Sequence, residues 1–114
     1  MSTYVCNVSD VPPGQMKSVE VDSLPDPVLV CNVDGAYYAV DAICSHARVD
    51  LSEGSISGCE VECPLHSGRF DVTTGSATRK PAKKPLTTYP CSVVDGELYI
   101  DVTAAAPALV NTQP

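Results

Sequence analysis

Both histidines of this 114-residue chain lie within three residues of a cysteine. The first pair reads Cys44-x-His46, the second reads Cys63-x-x-His66, and sixteen residues separate His46 from Cys63. Thiolate and imidazole are donors that zinc and iron–sulfur clusters accept. If the four side chains share one metal site, the fold must bring two separate loops together. No other feature of the sequence limits the fold as strongly.

The segments on either side of these pairs have the pattern of antiparallel β-strands. Short runs rich in Val, Ile and Tyr alternate with turn residues, and an Asp-Gly dipeptide separates two such runs at 34–35 and again at 95–96. Asp-Gly is a frequent hairpin turn, since glycine accepts a positive φ. Ten prolines and seven glycines disfavour long helices. The sequence therefore predicts a mostly antiparallel all-β domain whose two hairpins frame the central segment.

The length of the chain fits one domain with a modest core. We expect this domain to span residues 1–103, with a metal-binding part at about 43–72, and a flexible C-terminal tail at 104–114. Three of the cysteines outside the Cys/His pairs, Cys6, Cys31 and Cys91, lie in strand patterns, where a cysteine commonly packs as a small apolar residue.

Charge and hydropathy exclude several classes of partner. The net charge of -7 argues against nucleic acid, whose phosphates attract clustered bases. No run approaches the roughly 20 apolar residues of a membrane span, so we expect no membrane contact. The first residues lack the features of an export signal, which predicts a cytoplasmic protein. In a reducing compartment, cysteines close to histidines indicate metal binding rather than disulfides.

The order of the donors differs from that of common zinc sites. Zinc sites usually combine a pair of neighbouring cysteines with a pair of neighbouring histidines. Here each short segment supplies one of each, which suits two inequivalent metals, one bound by both thiolates and the other by both imidazoles. A structural zinc module for protein interaction is the alternative, in which Cys59 could supply a third thiolate. Against it, a strand between Cys59 and Cys63 would separate them by about 13 Å.

The spacing of the two pairs, together with Pro64 and the residues GRFD at 68–71, resembles the signature of Rieske [2Fe-2S] proteins. The resemblance extends to about residue 102, and the short chain is similar to the Rieske-type ferredoxins of bacterial aromatic-ring dioxygenases, such as those acting on biphenyl or carbazole. It implies the Rieske iron–sulfur fold, with antiparallel β-sandwich or barrel-like sheets and a small cluster-binding subdomain of two ligand loops. One departure is Ser67, where these ferredoxins usually have glycine.

The resemblance also implies one [2Fe-2S] cluster per chain and its ligands. Cys44 and Cys63 would bind the buried iron, and His46 and His66 would bind the outer iron. The residues expected to cover the cluster are Pro64, Leu65, Gly68, Phe70 and Pro81. Four protein ligands leave no open position for a substrate, and no nucleophile or acid–base dyad is evident, so we expect an electron carrier rather than an enzyme.

By the same resemblance, a flavin-dependent ferredoxin reductase would reduce the protein, which would then pass the electron to the Rieske centre of a terminal oxygenase. Six of the seven basic residues lie between positions 48 and 84, where they either solvate loops or bind partners. The residues expected to contact these partners are Arg48, Arg69, Lys80, Lys83 and Lys84. We expect a monomer. A second interpretation keeps the cluster but makes the chain the small subunit of an assimilatory nitrite reductase.

Four positions predict a low reduction potential. Rieske proteins of respiratory bc complexes have extra cysteines where this chain has Val49 and Leu65, and hydroxyl donors where it has Gly68 and Phe70. Each missing donor leaves an added electron less stabilised. We predict a midpoint near the low end of the Rieske range, about -150 mV. A redox titration followed by electron paramagnetic resonance (EPR) measures it, and a midpoint well above zero would contradict the prediction.

Overall fold

The computed structural model describes residues 2–44, 49–64, 68–79 and 86–102. These ranges contain strands and two short 3₁₀ helices, Val8–Asp10 and Leu51–Glu53, and no helix long and apolar enough to cross a membrane. The strands are β1 (Ser2–Asn7), β2 (Met16–Val19), β3 (Val28–Val33), β4 (Ala36–Asp41), β5 (Ser55–Ser57), β6 (Glu60–Glu62), β7 (Arg69–Asp71), β8 (Ala77–Arg79), β9 (Thr88–Tyr89), β10 (Cys91–Val94) and β11 (Glu97–Asp101). The prediction of an all-β fold is confirmed. The predicted tail at 104–114 lies outside the described residues.

The strands form three antiparallel sheets, with the orders β1-β11-β10, β2-β3-β4-β9 and β5-β6-β7-β8. We call the second the middle sheet and the third the small sheet. The chain leaves the middle sheet after β4, builds the small sheet as a sequential meander, and returns as β9, which pairs with β4. The small sheet is therefore an excursion from the middle sheet. Cys44 precedes its first strand, and Cys63 directly follows β6.

The two Asp-Gly turns form as predicted. Asp34 and Asp95 both have a positive φ, at 52° and 53°, and each is followed by a glycine that also has a positive φ. These turns fix the register of β3 with β4 and of β10 with β11, where Val33 faces Ala36 and Val94 faces Glu97. An aspartate tolerates this backbone conformation better than most residues do.

The middle sheet is buried on both faces. Along β3, Val28 and Val30 belong to one hydrophobic cluster, whereas Leu29 and Cys31 belong to another. Because successive side chains of a strand point to opposite faces, the unbroken apolar run of β3 packs against both other layers.

Two of the three cysteines expected to pack as small apolar residues, Cys6 and Cys31, are buried, while Cys91 is half-buried.

Candidate metal centre

Of the four predicted ligands, Cys44 and Cys63 lie within the described residues and His46 and His66 lie outside them. Also outside are the predicted covering residues Leu65 and Pro81 and the predicted partner-contacting residues Arg48, Lys80, Lys83 and Lys84. The geometry of the site is therefore built from the two cysteines and the elements that carry them.

Cys44 begins the first ligand loop, three residues after β4 ends. Its backbone N–H donates to the carbonyl of Val49 at 2.9 Å, which closes a loop spanning residues 44–49. Directly below, Ile43 and Asp50 form an antiparallel bridge. The two arms of the loop are thus paired at its base. Cys44 is held in place by the hydrogen bond of its own backbone N–H.

Asp50 fastens the base of this loop to the middle sheet. One carboxylate oxygen accepts a hydrogen bond from the Ser18 hydroxyl of β2 at 2.7 Å, and the other accepts from the backbone N–H of Ser52 at 2.9 Å. The second bond caps the 3₁₀ helix that follows. The first ligand loop is therefore anchored to a strand far from it in sequence.

Cys63 begins a second loop of the same size. It directly follows β6, and its N–H donates to the carbonyl of Gly68 at 2.7 Å, closing residues 63–68. In both loops the cysteine bonds to the carbonyl five residues later. The sequence analysis missed this equivalence, since Val49 and Gly68 accept through their backbones and share no side-chain chemistry that would reveal it.

Gly54 allows a close approach of two backbone segments near Cys63. A Cβ at this position would collide with the carbonyl oxygen of Glu62 and would lie 3.2 Å from the Cδ of Pro64. The main chain entering β5 therefore packs directly against the end of β6. This contact supports the residues on either side of Cys63.

Both cysteines belong to one apolar cluster. Cys44 is 3% exposed and Cys63 is 1% exposed. The buried residues that share the cluster with them include Leu51, Val61, Phe70, Val72 and Leu86. Two thiolates are tolerated in such surroundings only when a cation balances their charge. The cysteine pair therefore fits a metal cluster with a positive core.

The residues around the cysteines differ in exposure. Gly68 and Phe70 are buried, whereas Pro64 is exposed. Gly68 has no side chain, and the Phe70 ring offers no hydroxyl, so neither side chain can donate a hydrogen bond to a sulfur atom. The low potential predicted from these two residues stays a prediction.

Arg69 is engaged in ion pairs within the small sheet. Its Nη2 lies 2.9 Å from the Oε1 of Glu62, its Nε donates to the same oxygen at 3.0 Å, and its Nη1 lies 3.6 Å from the Oε1 of Glu60. Glu62 is its direct cross-strand neighbour. The positive charge of Arg69 is therefore balanced locally, which weakens its predicted role in binding a partner.

Three thiols outside the two pairs are harder to deprotonate than an ordinary cysteine. Burial raises the pKa of Cys31 to about 12 and that of Cys91 to about 11. Desolvation, followed by the charge of Asp71, raises the pKa of Cys59. The strand β6 runs between Cys59 and Cys63, and at its usual rise it separates them by about 13 Å. These observations disfavour the three-thiolate zinc site.

Two comparisons relate the sequence to known proteins. A family model described as the Rieske [2Fe-2S] domain matches residues 1–90. The 3-phenylpropionate/cinnamic acid dioxygenase ferredoxin subunit of Escherichia coli (strain K12) is 42% identical over 105 residues, which cover 91% of this chain and 96% of that protein.

Solved structures share the fold. The ferredoxin of Sphingomonas yanoikuyae B1 aligns with a TM-score of 0.85 and 35% identity, over 89% of this chain and 98% of that one. A chain in the complex of reduced oxygenase and oxidised ferredoxin in carbazole 1,9a-dioxygenase aligns with a TM-score of 0.82 and 35% identity, over 87% of this chain and 91% of that one. The similarity therefore extends over nearly the full length of these proteins.

Proposed function

The chain belongs to the Rieske [2Fe-2S] domain family, and from this premise we propose that it is the ferredoxin of an aromatic-ring dioxygenase system. The observation that carries the proposal is its 42% identity to a dioxygenase ferredoxin subunit over 96% of that subunit's length. The protein holds one [2Fe-2S] cluster and carries electrons from a reductase to an oxygenase, and it is not itself the catalyst. The relative that is 42% identical is a dioxygenase subunit, which disfavours the nitrite reductase interpretation. The [2Fe-2S] cofactor of the family disfavours the structural zinc module.

We assign the cluster ligands from the motif. Cys44 and Cys63 bind one iron, and His46 and His66 bind the other. When bound, the cluster accepts and releases one electron at a time. Neutral imidazoles in place of two thiolates make the ligand set less negative, which raises the potential above the roughly -400 mV of ferredoxins with four cysteines.

The described residues prepare the cysteine half of this site. The two backbone hydrogen bonds that close the loops hold each cysteine at the start of its loop. Leu51, Phe70 and Leu86 are buried in the same cluster and keep water away from the thiolates. A site that is rigid and dry rearranges little when its charge changes.

Cys6, Cys31, Cys59 and Cys91 are free thiols. Free thiols are typical of a reducing compartment, and we propose the cytoplasm.

The ligand assignment predicts opposite outcomes for two cysteines of the small sheet. Cys63→Ala removes a ligand, so we expect the red-brown colour and the rhombic EPR signal of the reduced protein to be lost, with iron per chain falling towards zero. Cys59→Ala is the matched control and should keep the iron and sulfide content of the parent. Iron retained in Cys63→Ala, or lost in Cys59→Ala, would contradict the assignment. Stoichiometric zinc in the parent would contradict the proposed function.

We propose further that basic residues around the histidines bind the oxygenase and the reductase. The support is their distribution, since six of the seven bases lie between positions 48 and 84 of a chain whose net charge is -7. Because Arg69 is paired with Glu60 and Glu62, the charge available to a partner rests mainly on the other five bases, Arg48, Arg79, Lys80, Lys83 and Lys84. Complementary charge mainly raises the rate of encounter between two proteins.

Charge reversal tests this surface. The double variant Lys83→Glu/Lys84→Glu should reduce the oxygenase about tenfold more slowly at low ionic strength, with a weaker dependence on salt. Lys17→Glu, which changes an exposed residue of β2, is the control and should have a smaller effect. Stopped-flow reduction of the oxygenase over a range of salt concentrations measures both. Equal rates for the double variant and the parent would overturn the role of these lysines.

A further inference from the structure

The residues from Leu86 to Tyr89, which we call the junction segment, are bonded to the end of β4 through one carboxylate. Asp41 Oδ1 accepts a hydrogen bond from the Tyr89 hydroxyl at 2.8 Å, and Asp41 Oδ2 accepts from the Thr87 N–H at 3.1 Å. The backbone N–H of Asp41 in turn donates to the Thr87 carbonyl at 3.0 Å. Three hydrogen bonds thus converge on a single residue.

The same segment is bonded to the small sheet at its other end. The N–H of Leu86 donates to the carbonyl of Gly75 at 2.7 Å, and Leu86 is 2% exposed. Gly75 lies in the turn between β7 and β8 with a φ of +82°, and a Cβ there would collide with the carbonyl oxygen of Leu86. The backbones approach so closely at this point that only glycine fits.

These two attachments connect the elements that carry the ligand loops. Asp41 precedes Cys44 by three residues and ends the strand that enters the first loop. Strand β7 begins directly after Gly68, which closes the second loop, and leads to Gly75. The junction segment therefore ties the strand entering one ligand loop to the hairpin leaving the other.

Packing is incomplete beside this connection. A cleft of about 380 Å³ is lined by Val72 and Thr73 of the small sheet and by residues of β4, with Thr88 and Tyr89 also in its wall. In a close-packed core, side-chain packing holds neighbouring sheets in place. Beside this cleft, the position of the small sheet relative to the middle sheet depends more on directional hydrogen bonds. Tyr89 is 8% exposed, and its bond to Asp41 is partly buried.

We propose that Asp41 is a positioning residue for the metal centre, and that its bonds to the junction segment set the placement of the Cys44 loop relative to the Cys63 loop. The inference rests on the proposed function, because the two loops need a defined separation only if they share a cluster. Weakening these bonds should let the loops separate, which alters the environment of the irons and lets them escape more easily.

The Tyr89→Phe variant tests the proposal with little change in shape. It removes one hydrogen bond to a carboxylate, and a bond of this kind corresponds to roughly a tenfold change in an equilibrium. We expect about tenfold faster loss of iron to a chelator, shifted EPR line positions in the reduced protein, and faster hydrogen–deuterium exchange at the Thr87 amide. Asp41→Asn, which keeps the size of the side chain, should have a larger effect on iron loss and exchange.

Tyr99→Phe is the matched control. The Tyr99 hydroxyl also donates to a carboxylate, Glu97 Oε1 at 2.8 Å, but both residues lie within β11, in the sheet that carries neither Cys44 nor Cys63. Its iron release and EPR spectrum should equal those of the parent. If Tyr89→Phe behaves like Tyr99→Phe, or lowers only the thermal stability with an unchanged EPR spectrum and iron release, Asp41 does not position the centre. If the parent protein has no iron–sulfur cluster, the proposed function is refuted instead. Hydrogen–deuterium exchange at the Thr87 amide would still report whether the junction segment stays bonded to Asp41.

Discussion

The rest of the structure depends on two backbone hydrogen bonds, each from a cysteine N–H to the carbonyl five residues later. They make Cys44 and Cys63 the first residues of two loops of equal size. Both cysteines are buried in one apolar cluster. A metal cluster bound by two thiolates needs the sulfur atoms to converge from separate parts of the chain. The fold meets this need by main-chain bonding, which closes each loop without using the side chain of its cysteine.

The sheets are arranged around that requirement. The middle sheet is buried on both faces and supplies the anchors of the first loop, through Asp50 and Ser18 at one side and Asp41 at the other. The small sheet supplies the second loop and is a simple meander, so its strands need only local pairing. Because the chain returns to β4 as β9, the excursion is closed by hydrogen bonds at its base. Cys44 and Cys63 therefore lie on connected sheets rather than on an isolated hairpin.

Local sequence predicted the features that depend on local chemistry. The Asp-Gly turns at 34–35 and 95–96 specified two hairpins, and the spacing of the mixed Cys/His pairs was sufficient to indicate the family. The contacts between distant residues could not be predicted in this way. Asp41 and Tyr89 are 48 residues apart, and their pairing follows from the register of β4 with β9, which no short motif encodes. Likewise, the ion pair of Arg69 with Glu62 follows from the register of β6 with β7, which places the two residues opposite each other.

We propose that the two irons of one cluster have different ligands, thiolates on one and imidazoles on the other. Mössbauer spectroscopy of the ⁵⁷Fe-labelled, reduced protein tests it most directly, since sulfur and nitrogen ligands give iron different isomer shifts. We expect two iron sites of equal area, with the added electron on the iron bound by the histidines. Two sites that both have the parameters of iron bound only by sulfur would contradict it.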